Sequence, residues 1–130
     1  MAAPNIVNVA SIYGKTVQIA AQKTATATNG TQLVSNAASS GKVLKINTIM
    51  AANIDGSNSA TITVTLWQEA TASSGTNRDI CTTVTVPADA TVVVLDKNTS
   101  IYLEEDRSLY CTASEDGDIE VTCSYEEISE

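Results

Sequence analysis

The sequence predicts an all-β fold: a single-domain antiparallel β-sandwich, jelly-roll or immunoglobulin-like, with about eight strands spanning residues 1–130. Three observations carry this. Apolar residues recur with a period of two, most clearly over residues 59–67, where Ala60, Ile62, Val64 and Leu66 alternate with Thr61, Thr63 and Thr65. Turn-forming clusters separate such runs at fairly regular spacing, and nowhere do apolar residues recur at i, i+3, i+4, i+7 long enough for a helix. Threonine is abundant, which favours strands, and with no Phe, four Tyr and Trp67 the core must come from Val, Ile, Leu and Ala.

Taken in order, residues 1–13 are expected as an extended N-terminal arm, residues 16–20 and 31–35 as strands, and the Thr/Ala-rich residues 21–30 receive no assignment. Residues 42–53 read as a strand, and Asp55-Gly56 in the linker to residues 59–67 is the strongest short hairpin signal in the chain. Residues 70–77 form a small polar loop. Residues 79–86 form a strand stopped by Pro87, and Ala88-Asp89-Ala90 turns the chain into residues 91–95. That run, TVVVL, lacks polar alternation, so it is either central and covered on both faces or covered on one face by another subunit. Asp96-Lys97-Asn98 breaks it, and residues 100–103 make a short strand. Residues 108–113 and 119–126 are expected as a closing hairpin around Asp116-Gly117-Asp118, with Gly117 at positive φ. Keeping both apolar sets on one face places Cys111 opposite Cys123.

Charge is divided along the chain. The first 54 residues hold no acid and four lysines, Lys15, Lys23, Lys42 and Lys45, whereas residues 55–130 hold fifteen acids against Arg78, Lys97 and Arg107. The two parts carry +4 and −12, giving −8. Two electrostatic ends suit docking to another surface or head-to-tail self-association, provided the lysine strands share one edge or sheet. Lys42 and Lys45 are the candidate docking residues. A sequence pI of 4.3 argues against direct nucleic-acid binding, which demands a basic face. No run approaches the roughly 18–20 apolar residues of a membrane helix. The start MAAPNIVNVASIYGK lacks a basic leader and apolar block, so synthesis in a reducing cytoplasm is expected.

Site chemistry is sparse. With no histidine, Ser-His-Asp and Cys-His arrangements are unavailable, and Cys81, Cys111 and Cys123 supply too few ligands for zinc. Cys111 and Cys123 read as reduced core residues, with a cross-strand disulfide as the alternative that a reducing compartment disfavours. Asp116, Asp118 and Glu120, beside Glu115, lack the spacing of a helix–loop–helix calcium site and read as a solvated turn. Trp67 falls on the threonine-bearing face, half exposed by this reading, and would anchor any carbohydrate-binding platform together with the tyrosines. No phosphate loop is present, and the expectation is a non-enzymatic chain with no metal or cofactor.

Several segments are familiar in their order: MAAPNIVNV at the start, VSNAASSGKV at residues 34–43, AANIDGSNSA at 51–60, VPADAT at 86–91, DKNTSIYLEE at 96–105 and YEEIS at 125–129. Together they resemble small virion structural proteins of tailed bacteriophages, especially those infecting marine cyanobacteria, over nearly the whole chain. Related sequences often carry Gly-Asp where this chain has Asp106-Arg107. The resemblance implies a particle component located in the virion, with the major capsid protein or other virion proteins as partners and a homo-oligomer as its state. Head decoration on the outside of the capsid is the leading expectation. A tail, neck or fibre-base component is the alternative, and a host-surface carbohydrate-binding module is an alternative of another class. No functional residue transfers from the resemblance.

Overall fold

The computed structural model describes residues 6–130. Among these, nine strands form: β1 (Ser11–Ala20), β2 (Thr31–Asn36), β3 (Lys42–Asn53), β4 (Ala60–Trp67), β5 (Asn77–Val86), β6 (Thr91–Leu95), β7 (Ile101–Leu103), β8 (Arg107–Ala113) and β9 (Ile119–Ser129), with a 3-10 turn at Lys97–Thr99 between β6 and β7. Of the expected arm, residues 1–5 lie outside the described residues, and Ser11, Ile12 and Tyr13 already belong to β1. The alternation in β4 comes out as read: Ala60, Ile62 and Val64 are buried, and the threonines between them face outward.

Two antiparallel sheets face each other. The first has the order β1-β9-β3-β6, with β7 continuing the β6 edge along β3, and the second has the order β2-β8-β4-β5. Setting β7 aside, this is the strand order of a jelly roll, in which two Greek keys wind between the sheets. The core fills the space between them with Leu44, Ile46, Ile49, Ile62, Val64, Leu109, Ile119 and Val121 among its members. At about 25 cal/mol per Å² of apolar area, each such fully buried side chain contributes on the order of 1.5–3 kcal/mol.

Jelly-roll winding overturns two expected hairpins. β3 and β4 lie in different sheets, so the Asp55-Gly56 linker crosses the sandwich. There Asp55 Oδ1 accepts bonds from the Ser57 and Asn58 amides, and the buried Asn53 side-chain amide donates to the Asn58 and Val86 carbonyls. β8 and β9 are likewise split. Cys111 pairs with Thr31 and Val64, and Cys123 pairs with Val17 and Ile49, so the two cysteines are not cross-strand partners. The physical reason is that period-two alternation records which face is buried, not which strand lies alongside. Two strands feeding one core from opposite sheets carry the same pattern as a hairpin. Gly117 does take the expected positive φ, at 78°.

β6 is not central either. It is an edge strand whose Val93 is 56% exposed on the outer face, so of the two readings of TVVVL only cover by another subunit stays open.

Candidate docking surfaces

The lysines do not form a separate pole. β9, which carries Glu126 and Glu127, lies between β1 and β3, the strands that carry Lys15, Lys42 and Lys45. Glu127 receives Lys15 Nζ at 2.9 Å on one oxygen and Lys42 Nζ at 3.0 Å on the other. Hydrogen bonds from Lys15 and then Lys42 hold the Glu127 carboxyl below its ordinary range, and Glu127 in turn raises Lys15. Lys23 lies 3.8 Å from Glu115. Interleaving of early and late strands therefore cancels the sequence-level dipole on which head-to-tail docking rested. Of the two candidate docking residues, Lys42 is bound to Glu127, while Lys45 stands on the outer face in register with Glu126 and Tyr102.

What replaces the dipole is a division between faces and rims. Eleven of the fifteen acids lie outside strands, leaving Asp79, Glu120, Glu126 and Glu127 within them. By register, Thr16 and Gln18 of β1, Thr122 and Ser124 of β9, Thr48 and Met50 of β3 and Val93 of β6 share the middle of the first sheet's outer face. None of these residues bears a charge. The second sheet's outer face is also largely neutral, with a shallow trough lined by Thr24, Thr61, Thr63, Thr83, Thr112 and Ser114. In the lining of this trough Thr83 has φ 43°, a strained value for a β-branched residue, in a bulge of β5 where its amide donates to Thr63 Oγ1 at 2.8 Å.

The part of that face around Trp67 is covered. Trp67 packs edge-on against Tyr110, centroids 6.2 Å apart, and is only 7% exposed. Residues 68–76 fold over the pair: the Ala72 amide donates to the Tyr110 hydroxyl, Ser108 Oγ to the Glu69 carbonyl and Ser35 Oγ to the Ala70 carbonyl. Glu69 Oε1 accepts from the Ser73 and Gly75 amides and fixes the loop internally. Sequence reasoning placed Trp67 on the correct face but half exposed; the small residues of 70–77 are what let the loop lie close enough to bury it. The signal was the serine and glycine content of a loop directly following an aromatic residue.

The acidic turn is built inward as well as solvated. Asp116 accepts from the Lys23 amide at 2.8 Å and Thr26 Oγ1 at 2.6 Å, which lowers its pKa and ties down the unassigned segment 21–30. Asp106 has φ 58°, and its Oδ1 accepts from the Ala70 amide. Asp tolerates the left-handed region better than most residues, which suits it to this turn. The three cysteines are free. Burial pushes the Cys123 thiol up to about 12 and raises Cys111 and Cys81, so none is poised as a thiolate nucleophile. No known protein family, characterised protein or solved structure matches this chain.

Proposed function

We propose that this chain is a structural protein of a tailed-bacteriophage virion, a head decoration protein that binds the outside of the capsid shell through a sheet face. The observation that carries the reading is the distribution of charge: most acids lie outside the strands, and the middle of one outer face, made of Thr, Ser, Gln, Met and Val, is neutral, with Glu120, Glu126 and Lys45 towards its ends. Charged residues are depleted from the centres of protein interfaces, and a neutral face on a chain of net charge −8 fits a partner that is itself a protein surface. The ordered likeness to phage virion proteins supplies the biological setting. Jelly rolls recur among viral capsid proteins and lectins, an analogy of fold alone. On this reading the partners are the major capsid protein and sister copies, and Lys45, on the outer face beside Tyr102, contributes to docking.

The test is to find the chain in purified particles. Quantitative gels combined with particle imaging are expected to give hundreds of copies distributed over the head. A few copies at one vertex would assign it to the tail, neck or fibre base, and absence from particles would remove the virion reading. The carbohydrate-binding alternative loses its anchor, because Trp67 is enclosed by residues 68–76.

A further inference from the structure

A jelly roll has four sheet edges, and in this chain they are not equally protected. β2 offers six residues with a register shift between Gln32 and Val34. β5 is interrupted by two shifts and carries Arg78 and Asp79. The opposite edge of the first sheet is split between β6 and β7, five and three residues long, with a 3-10 turn between them. Bulges, charges and short strands are the devices by which sheets discourage strand addition. β1 has no bulge and is not short. It runs ten residues, Ser11 to Ala20, in unbroken register with β9, its only sheet neighbour among the described residues. It contains no acid and no proline, and its one charge, Lys15, is held by Glu127 of the same chain. Residues 12–16 are exposed, with Ile12 and Tyr13 each more than half so, and space is open beside Gly14.

We infer that β1 is a strand-addition site for a second copy of this chain, pairing antiparallel with the β1 of its partner about a two-fold axis normal to the sheet. Among the edges that a second copy offers, only β1 presents ten consecutive residues without a bulge, so the longest ladder the chain can form with itself is β1 against β1. A two-fold normal to the sheet requires paired positions to sum to an even number, because opposed residues then share a face. Two registers give the greatest overlap. The one centred on Lys15 sets two ammonium groups opposite each other, which is unfavourable. The one centred on Thr16 sets Tyr13 opposite Ile19, Lys15 opposite Val17 and Ile12 opposite Ala20, and is the register assigned. It also joins the neutral outer faces of both copies into one continuous surface. The inference stands on the edges alone and does not depend on capsid binding.

Sedimentation of the wild-type chain is expected to show a reversible monomer–dimer equilibrium. Thr16→Lys, which opposes two like charges at the two-fold, should weaken it at least about tenfold while circular dichroism stays that of a folded β protein. Under mild oxidation, Thr16→Cys should give a cross-linked dimer, because directly opposed Cβ atoms are within about 5.5 Å. Gly14→Cys should not, since in this register the two introduced thiols sit about 13 Å apart along the ladder. A wild-type chain that is monomeric up to about 1 mM, or a Thr16→Lys chain that dimerises like wild type, would overturn the proposal. Cross-linking of the Gly14→Cys chain but not of the Thr16→Cys chain would overturn the assigned pairing.

Discussion

Replacing Glu127 with glutamine isolates the interaction that joins the two charge classes of the sequence. Gln keeps the shape of the side chain and one acceptor but removes the charge that holds Lys15 at 2.9 Å and Lys42 at 3.0 Å. The lysine side chains are 47% and 42% exposed, so solvent screening keeps each pair within the surface range even though the Glu127 side chain is only 15% exposed. At about 0.5–0.8 kcal/mol per pair, less the bond that Gln retains, Glu127→Gln should cost about 1 kcal/mol at neutral pH and low salt. For a chain of this length that corresponds to a fall of about 3–5 °C in Tm.

The pH dependence has a definite sign. The folded-state pKa of Glu127 is lowered, so its stabilising contribution is fully present above the unfolded glutamate value of about 4.3 and is lost as pH falls through the folded value. Wild type and variant should therefore differ at pH 6 and converge as the pH falls below 4, where protonated Glu and Gln are nearly equivalent. Raising the salt concentration at pH 7 should shrink the difference too. Urea titrations of both proteins across this range provide the measurement. A difference below about 0.3 kcal/mol at pH 7, or one that stays constant down to pH 3, would refute the reasoning.

Native protein treated with a thiol reagent at pH 8 should label Cys81, which is half-buried, well before Cys111 and Cys123, and denaturation should equalise all three; mass spectrometry of the labelled peptides reads this, and early labelling of Cys111 would contradict the assigned burial. Thr83→Gly should raise stability by about 0.5–1 kcal/mol, since relief of a β-branched residue at φ 43° outweighs the flexibility glycine adds to the unfolded chain, and a loss of stability in thermal or urea unfolding would show that Thr83 is not strained.

Most strand positions were legible in the sequence because they rest on local rules. Residues 42–53 and 91–95 coincide with β3 and β6, and Pro87 ends β5 as read. Strand partners were not legible. Asp55-Gly56 and Asp116-Gly117-Asp118 look like hairpin turns, yet both connect strands of opposite sheets, and the residues that settle this are long-range. Gly117 donates its amide to the Ala21 carbonyl, and the Ala113 amide donates to the Gln22 carbonyl, so segment 21–22 sits between the ends of the two last strands and keeps them from pairing. No local pattern announces such an intrusion. The docking candidates were half legible: Lys45 is on an outer face, but the engagement of Lys42 depends on β9 lying beside β3, which only the topology supplies.

That same topology gives the division of charge a different role. Alternation fixes which face of β9 is buried, but sliding the strand by two residues, about 6.6 Å, preserves that face. Hydrophobic pattern alone therefore leaves a family of even registers. In the observed one, Glu127 falls between Tyr13 of β1 and Leu44 of β3, within reach of Lys15 on one side and Lys42 on the other. A two-residue slip in either direction sets the carboxylate opposite one lysine and carries it away from the other, so only the observed register lets this one carboxylate hold both, and Glu126 cannot replace it because it points to the opposite face. The late strand nearest β9 in sequence, β8, lies in the other sheet, so Glu127 does not meet its cations there. It must find them across the sheet, on strands from the other end of the chain. Through Glu127, lysines of the early strands thus favour the observed register of the closing strand, and the neutral middle of the first sheet's outer face and the edge of β1 are left as the surfaces available to other molecules.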